Sequence, residues 1–204
     1  MWDNYSLERL LWADGFRQLA GVDEVGRGAL AGPVVTAAVI LDPARPIPGV
    51  TDSKALTPLQ RNFLAQRIKQ EAIAYALGVS DPAEVDRVNV LQATIRAMTR
   101  AVQGLPLPPD VVLIDALYLP EIPLPQIKII KGDWLSASIG AASIVAKVAR
   151  DAWMVEHSPC YPPYQFHSNK GYGSRRHLQA IERYGPCEIH RKTFQGVREK
   201  PAKG

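Results

Sequence analysis

Cysteine is scarce in this chain: 204 residues hold two, Cys160 and Cys187, and no C-x-x-C pair occurs. That excludes a disulfide-dense scaffold and a zinc ribbon, and makes a reducing, cytoplasmic setting the expectation. The four histidines are scattered at 157, 167, 177 and 190 and form no metal-binding triad in sequence. No G-x-x-x-x-G-K-[ST] run is present, which removes a nucleotide-phosphate loop. No apolar run reaches the roughly 18 residues of a membrane span, so no membrane association is expected. Residues Met1 to Arg9 mix acids with polar groups instead of leading with a basic stretch, unlike a secretory signal. Internal repeats and low-complexity blocks are also missing.

The composition that remains, 47% hydrophobic and 22% charged, suits one sizeable core. Residues 1–204 read as a single domain. Its core covers about 18–157, with a basic C-terminal substrate-binding segment at about 158–196. The net charge of +4 is unevenly spread: residues 165–204 hold nine Lys/Arg against three Asp/Glu. Three of the four histidines lie there too. A basic end with interspersed aromatics suggests a polyanionic partner.

The chain is organised around Ala20-Gly21-Val22-Asp23-Glu24-Val25-Gly26-Arg27-Gly28-Ala29-Leu30-Ala31-Gly32-Pro33. Asp23 and Glu24 end a short apolar run, and a Gly-Arg-Gly follows at once. A regular strand sends successive side chains to opposite faces. For the two acids to act together, the sequence predicts a local irregularity such as a bulge. Adjacent acids beside flexible backbone and a guanidinium suit metal-dependent phosphate chemistry. Gly26, Gly28 and Gly32 imitate a dinucleotide-binding fingerprint, but that motif needs a helix opening at the glycines. Here β-branched Val34 to Leu41 reads as a second strand, and the pair as a hairpin.

Residues 5–14 predict a short amphipathic helix. After the hairpin, Thr57 is an N-cap with Pro58 at the first helical position, opening a helix to about Glu71. Ala72 to Val79 reads as a third strand. A short helix from Asp81-Pro82 and a longer one over Asn89–Gln103 follow. Val111-Val112-Leu113-Ile114, uniformly apolar, predicts a central strand buried on both faces and ending on Asp115. Gln126 to Ile130 gives the fifth strand, closed by Lys131-Gly132-Asp133. Ser136 to His157 is a long helix rich in Ala and Ser. Tyr161-Pro162-Pro163-Tyr164 is a loop, and Ser174 to Tyr184 a final helix. This order predicts an α/β fold, a mixed five-stranded sheet flanked by helices with a helical C-terminal extension. Asp23/Glu24, Asp115 and Asp133 all fall at strand ends, where ligand sites of open α/β sheets gather.

Four carboxylates can hold hard divalent cations that activate water and stabilise a departing oxygen. With the basic end and the aromatics, hydrolysis of a nucleic-acid phosphodiester fits. The chain resembles the bacterial ribonuclease HII, or type-2 ribonuclease H, family. The matching stretches are Gly21-Val22-Asp23-Glu24-Val25-Gly26-Arg27-Gly28, Asp52-Ser53-Lys54, Ile114-Asp115 and Lys131-Gly132-Asp133. Ala141 to Asp151, His167 to Ser174, Gly185-Pro186 and His190 to Phe194 complete them, over roughly residues 18–196.

The resemblance implies a ribonuclease H-like fold and an endonuclease that cuts RNA within RNA–DNA hybrids. It also implies cutting 5′ of single ribonucleotides embedded in duplex DNA, giving 3′-hydroxyl and 5′-phosphate ends. Asp23, Glu24, Asp115 and Asp133 take the places of the catalytic, metal-holding acids, with Mg²⁺ or Mn²⁺ as cofactor, two ions with substrate bound. Gly26-Arg27-Gly28 matches the loop that senses the ribose 2′-hydroxyl, and Tyr172 the aromatic against the sugar at the RNA–DNA junction. Partners are then RNA–DNA hybrid and ribonucleotide-containing duplex, met by a monomer. Ala116 departs from the family's usual Gly, and Ser174 from its Thr.

Among the remaining candidates, Lys170, Arg175 and Arg176 read as phosphate contacts, and Lys54 as a phosphate contact or helix-start packing. Asp151 and Trp134 read as structural, and His190 as either a core or a substrate residue. Two other functions compete: a non-catalytic nucleic-acid binder on the same fold, and another metal-dependent nuclease such as a junction resolvase. The carboxylate quartet opposes the first, since uncompensated acids repel DNA. The Gly-Arg-Gly loop with Tyr172 opposes the second.

Overall fold

The computed structural model describes residues 4–197. Helix α1 (Ser6–Ala13) leads into the hairpin of β1 (Leu19–Val25) and β2 (Val34–Ile40). Then come α2 (Pro58–Glu71), β3 (Ala74–Ser80), α3 (Pro82–Val88), α4 (Val90–Gln103), β4 (Val111–Asp115) and β5 (Gln126–Ile129). The one-turn α5 (Gly132–Leu135), the long α6 (Ala137–His157), the one-turn α7 (Phe166–Asn169) and α8 (Arg175–Tyr184) complete the chain. Strand order is β3-β2-β1-β4-β5. Strand β2 pairs antiparallel with both β1 and β3, and β1-β4-β5 are parallel. The expected mixed five-stranded sheet is therefore present. The central strand is β1, with apolar β4 beside it.

Local signals start the helices. Thr57 and Gln60 form a reciprocal capping box at α2, with Pro58 in the first turn, which satisfies otherwise orphaned amides. Asp81, Asn89, Ser136 and Ser174 cap α3, α4, α6 and α8 through their side chains. The Tyr161–Tyr164 stretch, expected as a loop, winds into a 3₁₀ turn at Pro162–Tyr164, just after another at Ser158–Cys160. Proline fixes φ in the helical range, so a Pro-Pro pair favours a turn as readily as a loop.

The sheet is covered on both faces. Ala37, Val39 and Leu41 pack with α2 and α6. Val22 and Ala38 pack with Met98, Ala101 and Val102 of α4 on the other side. Helix α6 lies very close on β1: a Cβ at Gly21 would stand 2.0 Å from the Ser138 carbonyl carbon. Gly78 gives α4 the same access to β3, with Ala97 O 1.9 Å from a Cβ placed there. Residues 158–197 build a separate small core in which Tyr164, Phe166, Ala180 and Ile181 pack on Leu30, Ala31 and Met154.

Helix α1 is fastened beneath α6 by a buried acid. Ser136 Oγ and Ser138 N–H donate to Glu8 Oε1 at 2.5 and 2.9 Å. Burial raises the pKa of Glu8 above the ordinary glutamate value. Glu8→Ala strands the Ser138 amide in the interior, and a loss of about 1–3 kcal/mol is expected in a denaturant melt. Glu8→Gln keeps an acceptor without the buried charge and should retain most of the stability.

Candidate active site

Strand β1 outruns its parallel neighbour. Its pairing with β4 stops at Val22–Ile114, while its pairing with β2 continues regularly to Val25–Val35. The bulge expected at Asp23-Glu24 is absent: the register is continuous, and the two side chains do leave opposite faces. They reach the same space because nothing pairs with β1 on the β4 side beyond Val22. The overshoot does what a bulge was expected to do.

Asp23, Glu24, Asp115 and Asp133 line one cleft of about 340 Å³, together with Ser53, Lys54, Ser143, Lys147 and Tyr172. Each acid is held differently. Asp23 is buried, and Glu24 N–H donates to its Oδ1 at 2.7 Å. Burial first, then the Glu24 charge, push its pKa well above the ordinary aspartate range, against a hydrogen bond from Ser143. Arg27 pairs with Glu24 Oε1 at 3.1 Å, while Glu24 Oε2 is buried and finds no protein partner. Asp115 Oδ1 accepts the Gly132 amide at 2.8 Å. The chain then leaves β4 through Ala116 at φ 52°, a left-handed conformation that glycine adopts at less cost.

Asp133 does not close a strand, as the sequence suggested. It lies in the single turn of α5, entered through Lys131 in a left-handed conformation. Its pKa rises to about 6, through burial and then the charges of Asp52 and Asp115. Among the described residues, no three His, Cys, Asp or Glu side chains are drawn together into a ready-made metal cluster. The four acids nonetheless line one cleft. The orphaned Glu24 oxygen, the raised Asp23 and Asp133 pKa values and the all-oxygen donor set fit a hard divalent cation.

The other sequence candidates divide. Lys54 sits in the cleft on a 3₁₀ turn whose carbonyls, Ser53 O and Leu56 O, accept from Arg61 at 2.8 and 2.5 Å. Tyr172 also lines the cleft, with the Arg150 guanidinium 5.3 Å and the Lys147 ammonium 5.8 Å from its ring centre. Gly26 turns with φ 95° against Arg150, whereas a Cβ at Gly28 would meet open space. Lys170 stands outside the cleft: it lines a neighbouring groove with Arg61, Lys147 and Asp151, and its ammonium donates to His167 O. Asp151 pairs with Lys147 at 2.8 Å. His190 is buried in the C-terminal core. Trp134, expected to pack, is 52% exposed and donates to Asp52 at 3.4 Å.

Sequence reasoning missed Lys147 and Ser143. The signal was available, since 143, 147 and 151 fall four apart along one helical face. What it lacked was the knowledge that this face meets Asp23.

This sheet order with acids gathered at its end defines a nuclease of the ribonuclease H-like fold. Residues 20–197 match the family model described as Ribonuclease HII. A ribonuclease HII of Desulfitobacterium hafniense is 53% identical over 193 residues, covering 95% of this chain and 74% of that protein. One from Geobacter metallireducens is 52% identical over 198 residues, covering 97% and 93%. The solved ribonuclease H2 of Pyrococcus horikoshii superposes with a TM-score of 0.76 at 29% identity, over 89% of this chain and 95% of that one. The chain belongs to the ribonuclease HII family, and it is an endoribonuclease.

The raised carboxylates carry a sign that can be checked. Asp133 titrates near 6 when folded, against 3.8 ordinarily, so the folded protein binds that proton more tightly than the unfolded chain. Without metal, this group's contribution is fully present below about pH 4 and is lost as pH rises through about 6. Asp133→Asn or Asp23→Asn should therefore raise the melting temperature of metal-free protein at pH 7, with the gain shrinking towards pH 4.

Proposed function

We propose that this enzyme cuts the RNA strand of RNA–DNA hybrids and the 5′ side of single ribonucleotides embedded in duplex DNA. The products are 3′-hydroxyl and 5′-phosphate ends, and the role is ribonucleotide removal during cytoplasmic DNA replication and repair, by a monomer. The observation that carries the reading is one cleft shared by four carboxylates, two lysines and Tyr172. Asp23, Glu24, Asp115 and Asp133 would hold Mg²⁺ or Mn²⁺, two ions with substrate bound. Bound there, divalent ions supply water activation and neutralise charge on the departing 3′-oxygen. Arg27 keeps Glu24 aimed at the cleft through their ion pair. Lys54 and Lys147 offer ammonium groups to the phosphates on either side.

Selection of RNA needs a group that rewards the 2′-hydroxyl. The backbone of Gly26-Arg27-Gly28 is available for that hydrogen bond, and the open space at Gly28 leaves room for a sugar to approach. Tyr172, 37% exposed, offers its ring to the neighbouring deoxyribose.

The direct test is incubation with a duplex carrying one ribonucleotide, with and without Mg²⁺ or Mn²⁺, followed by mapping of the cut. A metal-independent cut, or one 3′ of the ribonucleotide, overturns the reading. Tyr172→Ala should lower cleavage at the embedded ribonucleotide on the order of ten-fold, the loss of a contact of about 1–2 kcal/mol. Cleavage of a long hybrid should fall much less, and equal losses would make the ring a general positioning group. Combining Lys170→Ala, Arg175→Ala and Arg176→Ala tests the exposed basic segment. Each lost phosphate contact should flatten the slope of log affinity against log salt by ~0.9, and an unchanged slope would leave these residues a solvated surface.

A further inference from the structure

A buried hydrogen-bond chain in the C-terminal segment has no place in the cleft chemistry, yet it ends on the backbone of Tyr172. Tyr172 O accepts Ser174 N–H at 2.8 Å and lies 2.8 Å from His177 Nδ1. A carbonyl oxygen accepts and never donates, so neutral His177 carries its proton on Nδ1. Its Nε2 faces His190 Nε2 at 2.9 Å. His177 Nε2 is then an acceptor, and His190 donates to it. That leaves His190 Nδ1 as an acceptor, met by Cys187 N–H at 2.9 Å and Cys187 Sγ at 3.0 Å. Every ring nitrogen is satisfied, in one proton order, with both rings neutral. A further proton on either ring would set N–H against N–H. Both rings are buried, and burial lowers both pKa values, His190 to about 4 with help from His177.

The chain fixes more than α8. His190 forms a β-bridge with Ala31. Arg191 N–H donates to Leu30 O at 2.9 Å, and Gly32 N–H to Ile189 O at 2.8 Å. The buried Arg191 guanidinium reaches Arg27 O at 2.9 Å and Gly32 O at 2.8 and 3.1 Å. One end of the relay is thus anchored to the loop carrying Gly26-Arg27-Gly28, and the other to Tyr172. The Tyr172 ring is partly exposed beside Arg150 and Lys147, and its backbone sets where that side chain starts.

The geometry points to His177 and His190 as positioning residues that set the stance of Tyr172 against the glycine loop, and through it the preference for ribonucleotide junctions. This rests on the reading of Tyr172 as the junction contact. The bland alternative is that the pair only stabilises the C-terminal core.

Substitutions at His177 separate the two. In His177→Asn, an amide N–H takes the place of Nδ1–H towards Tyr172 O. In His177→Gln, the amide reaches the His190 side instead, and His177→Leu makes neither bond. The readout is the ratio of kcat/KM at a single embedded ribonucleotide to kcat/KM on a long hybrid, at matched metal and below each variant's melting temperature. His177→Leu and His177→Gln should lower that ratio roughly ten-fold or more, in line with a small misplacement of a positioning group. His177→Asn should keep most of it. In a Tyr172→Ala background, His177→Leu should change the ratio no further. An unchanged ratio with a lowered melting temperature, or equal losses for Asn and Leu, overturns the proposal. If His177→Leu does not fold, the Asn and Gln variants decide alone. Should Tyr172→Ala itself leave the ratio unchanged, it is the reading of Tyr172 that fails. A ratio that responds to Tyr172→Ala but to no His177 variant sinks the relay alone.

Discussion

Contact between α6 and β1 is the constraint on which the rest of this structure depends. The helix backbone at Ser138 lies so near Gly21 that a Cβ there would overlap it. With the helix seated that closely, Ser143 comes within hydrogen-bonding reach of Asp23, and Lys147, one turn on, enters the same cleft. Further along, Arg150 reaches Ala31 O and Pro33 O at 3.0 and 2.9 Å, holding the return of the glycine loop. At the helix start, Glu8 and the Ser136 cap fix the junction with the turn that carries Asp133. A helix displaced by the width of a methyl group would loosen every one of these positions, because packed interiors transmit small volume changes.

Electrostatics explains why the cleft looks as it does. Four acids of one sign in partly buried surroundings oppose folding, and two of them show it in raised pKa values. The fold tolerates this by pairing Glu24 with Arg27, giving Asp115 the Gly132 amide, and lining the rim with Lys54 and Lys147. None of these partners uses up Glu24 Oε2. Such a site trades stability for affinity towards cations, a trade common at functional sites.

The C-terminal segment shows how a charge count can mislead. As sequence, it is a basic patch suited to phosphates. In the structure its arginines serve two ends. Arg175 and Arg176 are exposed at the start of α8, but Arg191 is fully buried and binds backbone carbonyls. A guanidinium carries five N–H donors in a planar fork, so it can satisfy several loop carbonyls at once. Arg150, buried from α6, does the same for Ala31 O and Pro33 O and also reaches Lys170 O.

What the sequence determined by itself was whatever its near neighbours decide. Hydrophobic period gave the five strands and the long helices, and Thr57-Pro58 placed the start of α2, because caps and backbone preferences act over three or four residues. The Asp23-Glu24 pair and the family's motifs named the acids. Tertiary structure decided what those residues face. Whether two adjacent acids share a cleft depended on β1 outrunning β4, a matter of strand lengths far apart in the chain. Asp133 went to a helical turn because Lys131 adopts a left-handed conformation that short-range preference does not forecast. Lys147 joined the site and Lys170 did not, since side-chain direction follows from how α6 and the loop after α7 are seated. Burial of Arg191 and the proton order of His177 and His190 were set in the same way, by partners that only the folded chain brings within hydrogen-bond distance.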